Sequence, residues 1–249
     1  MSTKNSLDPY GNMPVQLGHQ NLPNTHCNTL QTIQNKALRI ATGCTHSTPI
    51  DHLHQETKVL KVKDHLNMRG TQILAAATSV PQHPLYYMAG HHTGPRDIKT
   101  TPCDRYYKEL PSTLPPRPPR TNMHKHIHNH FTQQAIQSLT NNTIIQSQPP
   151  EVHTSERSLT REDRVHLARL RCGHHPALQA YRNRLDETIS EACPNCTLAP
   201  HSIQHLMEDC PSLILIRQQY NIHSRRQLWE SPVQTVDFLR SLGLLVQRA

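Results

Sequence analysis

Apolar residues recur at helical spacing in separate stretches of this chain, and between those stretches the pattern lapses. The first stretch begins at Asn28: Leu30, Ile33, Ala37, Leu38 and Ala41 fall on one face of a predicted helix, with Lys36 and Arg39 outside it. Asn28 and Gln31 have the spacing of a capping box, and Gly43 is placed to end the helix. Thr48 and Pro49, followed by Asp51, mark a second helix start with proline at its first position, and Ile50 and Leu53 are expected to point inward. A third helix is predicted over 63–78, with Leu66, Ile73, Leu74 and Ala77 as its stripe and Gly70 weakening it. Residues 28–79 therefore predict a three-helix unit with a basic exterior, preceded by a polar, loop-like tail over 1–27.

From Pro81 the periodicity is lost, and Pro115-Pro116-Arg117-Pro118-Pro119 favours extended polyproline geometry, so 80–156 is expected to be a Pro/His-rich disordered linker. One helix interrupts it, over 123–139, where Ile127, Phe131, Ala135 and Leu139 lie four apart. His124, His126, His128 and His130 form i,i+4 pairs there that suit a metal or a phosphate; the simpler account is a solvated, weakly basic face. The last module, 157–249, opens with a capping box at Thr160 and Asp163, carries Val165, Ala168 and Leu170, and stops at Gly173. A short helix over 177–185 follows, then helices opened by Pro211 (Leu213, Leu215, Ile216) and by Ser231-Pro232 (Val233, Val236, Leu239, Leu242). No strand pattern and no internal repeat is visible, so the expected class is mainly α.

Composition explains why the units are small. Of 249 residues only 35% are hydrophobic and 4% aromatic, against 20 prolines, which is too little apolar matter for one large core. The net charge of +8, with 20 histidines in reserve, suits a polyanionic partner such as RNA or DNA, or an anionic membrane surface. A spanning segment is not expected, because no apolar run approaches the ~20 residues required. The N-terminal Met1–Pro14 has no apolar core behind a basic start and so does not read as a signal peptide, which points to the cytoplasm or nucleus. The seven cysteines are odd in number and three of them cluster, which fits reduced thiols and metal ligation better than a disulfide scaffold.

That cluster carries the clearest chemistry. Cys193-Pro194-Asn195-Cys196 is followed by His205 and Cys210. A two-residue gap lets one tight turn aim both sulfurs at a single ion, and three thiolates with one imidazole complete a zinc tetrahedron. With all four positions filled by protein, a closed structural site is expected rather than a catalytic one. A redox Cys-x-x-Cys pair is the alternative, but it ordinarily follows a strand. Cys172, His174 and His175 are conceivable rival ligands, and His201 competes with His205. The phosphate contacts expected from the basic helices are Lys36, Arg39, Arg161, Arg164, Arg169 and Arg171. No nucleophile constellation, glycine-rich phosphate loop or adjacent pair of aspartates marks an enzyme or a small-molecule substrate.

Two groups of words in the chain resemble a known family. The stretch Leu30-Gln-Thr-Ile-Gln-Asn-Lys-Ala-Leu-Arg39, with Thr48-Pro-Ile-Asp51 and Leu53-His-Gln-Glu-Thr57, resembles the segment after the palm of jockey-like non-LTR retrotransposon reverse transcriptases. Arg169-Leu-Arg-Cys-Gly-His-His-Pro-Ala-Leu178 and the Cys193, Cys196, His205, Cys210 cluster resemble that family's C-terminal region. The resemblance covers roughly 28–79 and 157–245. It implies that the first unit is thumb-like, that the cluster is a zinc knuckle, and that the partner is element RNA or target DNA. The Tyr-x-Asp-Asp motif of the family's RNA-directed DNA polymerase is absent, and nucleotidyl transfer needs such carboxylates to hold two metal ions. The expectation is thus a non-catalytic C-terminal fragment that binds nucleic acid. Two alternatives remain: a zinc-stabilised protein-interaction module docking through 233–242, and a decayed remnant with no selected function.

Overall fold

A computed structural model describes residues 23–78 and 120–245. These are mainly α-helical, and two isolated bridges, Asn142 with Ser147 and Ala192 with Pro200, are the extended pairing among them. The expected tail before Pro23 and the proline-rich stretch 80–119 lie outside the described residues. Among the described residues no helix is long and apolar enough to cross a membrane.

The contacts divide the chain into two units, one of 1–31 and 60–133, the other of 32–59 and 134–249. The sequence reading draws different bounds: a 28–79 unit, an 80–156 linker and a 157–249 module. Residues 32–59 belong with the C-terminal module because Leu38, Cys44 and Leu53 share a buried cluster with Ala168 and Cys172. Periodicity shows which helix face is apolar; it does not show which distant residue covers it.

The first unit contains α3 (Val62–Thr78) and the first part of α4 (Arg120–Ser138). Gln31 Oε1 accepts from the backbone N–H of Val62 at 2.8 Å and so satisfies a donor at the start of α3. The face of α3 that is buried carries Met68, Thr71, Gln72 and Ala75. Ile73, expected inside, is 40% exposed. On α4, Met123, Ile127 and Phe131 are buried as the four-residue spacing implies, and Gln72 Nε2 donates to the His124 carbonyl at 3.1 Å. His126 and His128 are exposed, and the four histidines of α4 do not gather into a metal group.

The second unit begins within α1 (Asn24–Thr42), which starts four residues earlier than the capping-box spacing suggested and places Asn28 inside the helix. Its Leu30 and Ile33 are exposed while Leu38 is buried, so only one of the three expected inward leucine and isoleucine positions is covered. Pro49 precedes α2 (Ile50–Thr57), which buries His52, Leu53, His54 and Gln55 and leaves Ile50 exposed. A 3-10 turn over Thr154–Ser158 leads to α5 (Arg161–Arg171). There the expected cap is present: Thr160 Oγ1 accepts from Asp163 N–H at 3.3 Å and donates to Asp163 Oδ2 at 2.8 Å. The end of α5 is a Schellman turn, with Gly173 at φ +68 and His174 N–H donating to the Arg169 carbonyl.

Beyond it lie α6 (Gln179–Leu185), a π turn (His205–Asp209), a 3-10 turn (Pro211–Leu213), α7 (Ile214–Gln219), α8 (Gln227–Glu230) and α9 (Pro232–Ser241). Leu167, Leu170, Leu206, Met207, Trp229, Val236, Phe238 and Leu239 build one core from these elements. Leu215, on the helix after Pro211, is 78% exposed, and Leu213 is buried. The face of α9 offered to a docking partner by the sequence is used internally, because Val236 and Leu239 are fully buried in this core.

Candidate metal centre and basic surface

Cys193 and Cys196 flank a tight turn. Cys193 N–H donates to the Ala199 carbonyl at 2.9 Å, and Thr197, at φ +59, returns its N–H to the Cys193 carbonyl at 2.8 Å. This closes the short loop on itself and aims both sulfurs to one side. The second pair comes from the π turn over His205–Asp209, whose wide winding buries Leu206 and Met207 in the core while His205 faces the loop. Cys210 N–H donates to the His205 carbonyl at 2.7 Å, and Arg217 Nη1 donates to the Cys210 carbonyl at 2.7 Å. Glu208 holds Arg225 at 3.0 Å, and Arg225 Nη1 also donates to the Ile144 carbonyl, so the turn is tied to residues far away in sequence.

The four ligand atoms of Cys193, Cys196, His205 and Cys210 all lie within 4.8 Å of one another, and Cys196 Sγ is 3.1 Å from His205 Nε2. Cys193, His205 and Cys210 are buried and Cys196 is half-buried. Four donors at such separations can hold one metal ion. A tetrahedral zinc sets its donors ~3.5–3.8 Å apart, given Zn–S of ~2.3 Å and Zn–N of ~2.0 Å. The thiols already differ in acidity. Backbone N–H groups, that of Leu198 foremost, lower the pKa of Cys196, and burial together with the Cys196 thiol pushes Cys210 up to about 11. A bound cation reverses the burial effect by taking the thiolate forms.

The rival ligands do other work. His201 is buried, and its Nδ1 accepts from Gln179 N–H at 3.2 Å. Cys172 packs in the core against Cys44, whose thiol its hydrogen bond lowers to about 7. His175 is also buried; its Nε2 lies 2.8 Å from His166 Nδ1 and its Nδ1 accepts from Ala177 N–H. None of Cys172, His174 and His175 belongs to a converging metal group among the described residues.

The six expected phosphate contacts divide by environment. Arg171 is corrected: it is 1% exposed and its guanidinium is consumed inside the fold. It pairs with Glu56 at 2.6 Å and with Glu156, donates through Nε and Nη2 to the Leu228 carbonyl, and lies 5.6 Å over the Trp229 ring. Arg169 is half-buried and its Nε donates to the Gly43 carbonyl at 2.7 Å; Arg161 is exposed and its Nη2 donates to the Ile40 carbonyl at 3.0 Å. Both therefore place positive charge on carbonyls left open by the end of α1. Arg39 is half-buried and donates to the Thr48 carbonyl at 3.1 Å. Lys36 and Arg164 are exposed.

Sequence periodicity missed a polar cluster where the 43–49 loop meets the 173–184 stretch. Its members are scattered hydroxyls and one histidine, and no spacing rule links Ser47 to His174 or Tyr181, 127 and 134 residues away. Comparison with known proteins supplies no relative to interpret these features: no family model matches the chain, and neither a curated protein nor a solved structure is significantly similar to it.

Proposed function

We propose that this chain is a zinc-stabilised helical module that binds nucleic acid and performs no catalysis of its own. The convergence of Cys193, Cys196, His205 and Cys210 is the observation that carries the proposal. Three soft thiolates and one imidazole select zinc over hard divalent ions, and the protein leaves no open coordination position for a substrate. The ion acts by joining the Cys193–Cys196 loop to the π turn, beside a core that contains few aromatics. The nucleic-acid part is supported by the net charge of +8 and by exposed Lys36, Arg161 and Arg164 on α1 and α5. The motif resemblance to retrotransposon reverse transcriptases supports the same partner class, element RNA or target DNA.

Fluorescence anisotropy of the full chain with single-stranded RNA and DNA tests this. Binding is expected to fall with salt at a log–log slope of about −0.7 per phosphate neutralised, and Lys36→Ala with Arg164→Ala to weaken both strands and flatten the slope. Absence of binding to either strand at low salt contradicts the proposal.

A further inference from the structure

Besides the metal quartet, the second unit contains a concentrated set of hydrogen-bonding groups with basic neighbours. Thr45 Oγ1 lies 2.9 Å from Ser47 Oγ. Ser47 Oγ lies 3.2 Å from Tyr181 OH and 3.4 Å from His174 Nδ1, and Thr48 Oγ1 is also 3.4 Å from that nitrogen. The His174 ring stacks on Tyr181 at 5.3 Å and 19°, and the Arg184 guanidinium lies 5.4 Å from the centre of the same Tyr181 ring. Gly173 holds Arg184 in place by accepting from Nη2 at 2.7 Å.

Three properties distinguish this cluster from an ordinary polar surface. First, most of its contacts are loose. At 3.2–3.4 Å they exceed the ~2.7–2.8 Å usual between hydroxyls and the ~2.9–3.0 Å usual between nitrogen and oxygen, so these protons can turn toward a stronger acceptor at little cost. Second, its titratable neighbours are basic: burial first, then Arg184 and His52, hold the His174 pKa below its usual value. Third, His52, which acts electrostatically on His174, is 3% exposed and its Nδ1 has no hydrogen-bond partner among the described residues. The neighbouring carboxylate of Asp51 accepts from Thr140 N–H and Thr140 Oγ1, both at 3.1 Å.

We propose that Thr45, Ser47, Tyr181, His174 and Arg184 form a cradle for one phosphate group, a backbone phosphate of the bound strand. The proposal rests on the nucleic-acid function above and adds a defined site to it. A phosphate oxygen accepts charge-assisted hydrogen bonds from hydroxyl, imidazole and guanidinium groups alike, and Arg184 presents a planar fork suited to it. A hydrolytic role for the Ser47–His174 pair lacks its third member, since among the described residues no hydrogen bond joins the His174 ring to a carboxylate.

The test follows the His174 ring by NMR in the full chain during titration with inorganic phosphate and, separately, with a short oligothymidylate. Both anions are expected to shift its signals saturably and to raise its pKa. Arg184→Gln is expected to abolish the response to phosphate and to weaken oligothymidylate binding about tenfold. Ser47→Ala, at an exposed position, gives a smaller loss in the same direction and serves if Arg184→Gln unfolds. Arg164→Gln, outside the cluster, should leave the phosphate response intact. If His174 responds to neither anion while Arg164→Gln still weakens oligothymidylate binding, the cradle is refuted and the nucleic-acid function stands. If inorganic phosphate shifts His174 but oligothymidylate does not bind, the strand assignment and the function it rests on both fail.

Discussion

Arg171 Nη1 lies 2.6 Å from Glu56 Oε1, joining α5 to α2 across 115 positions of sequence. Glu156 accepts from Nη1 and Nη2 of the same guanidinium, and the two carboxylates are 10% and 14% exposed. The coulombic attraction of Glu56 and hydrogen bonding from Glu156 outweigh burial and keep Arg171 charged. Removing one partner from such a group strands the others in a poorly solvated place.

Arg171→Met is therefore expected to destabilise the second unit by about 3–5 kcal/mol in urea unfolding, because Glu56 and Glu156 then repel without compensation. Arg164→Met, at an exposed position on the same helix, should cost under about 0.5 kcal/mol. Similar losses for the two variants contradict the structural role assigned to Arg171.

Acid should weaken the fold through His175. Burial, with His166 and Arg169 beside it, lowers its pKa to about 4, below the ordinary 6.5. The unfolded chain thus binds a proton that the folded chain refuses, so stability is complete above pH 6.5 and declines as pH falls toward 4. The loss approaches roughly 3 kcal/mol once both states are protonated. Comparing urea midpoints of wild type and His175→Gln at pH 7.5 and 4.5 separates this effect from acid-driven metal loss, which both chains share. The variant should show the shallower dependence; parallel profiles contradict the assignment.

Gly43 and Gly243 adopt the same left-handed conformation, φ +69 and +68, but in different surroundings. A Cβ on Gly43 would stand 2.5 Å from Val165 Cγ1, whereas one on Gly243 meets nothing within 4 Å. Gly243→Ala should cost about 1 kcal/mol for the backbone alone. Gly43→Ala should cost a further 1–3 kcal/mol for the overlap, with part of it recovered by Val165→Ala. Equal costs in thermal unfolding would mean that α5 does not pack against the end of α1 as described.

Local rules made much of the architecture legible. Thr160 with Asp163, Pro49, Gly173 and Pro232 each mark a helix boundary because capping and fixed φ act within a few residues. The spacing of Cys193, Cys196, His205 and Cys210 was readable for the same reason: one turn and one short helical segment set the geometry. Long-range packing was not readable. Leu30 and Ile33 look like core and are exposed, whereas Arg171 looks like surface and is buried. The partners of Arg171, Glu56 and Leu228, are distant in sequence, and the same holds for the passage of residues 32–59 into the C-terminal unit. Arg161 and Arg169, which look like free surface cations in the sequence, also spend donors on carbonyls of α1 and its end.

The central claim is that four protein donors hold one structural zinc ion. Native mass spectrometry of the full chain, read alongside far-ultraviolet circular dichroism before and after chelation, tests it most directly. The account predicts one zinc per chain, removed by chelator with loss of a cooperative thermal transition and restored by zinc, because metal binding contributes about 10–16 kcal/mol of apparent free energy to small modules of this kind. Cys210→Ser should carry little or no metal. A chain that binds no zinc, or that melts at the same temperature with its zinc removed, contradicts the claim.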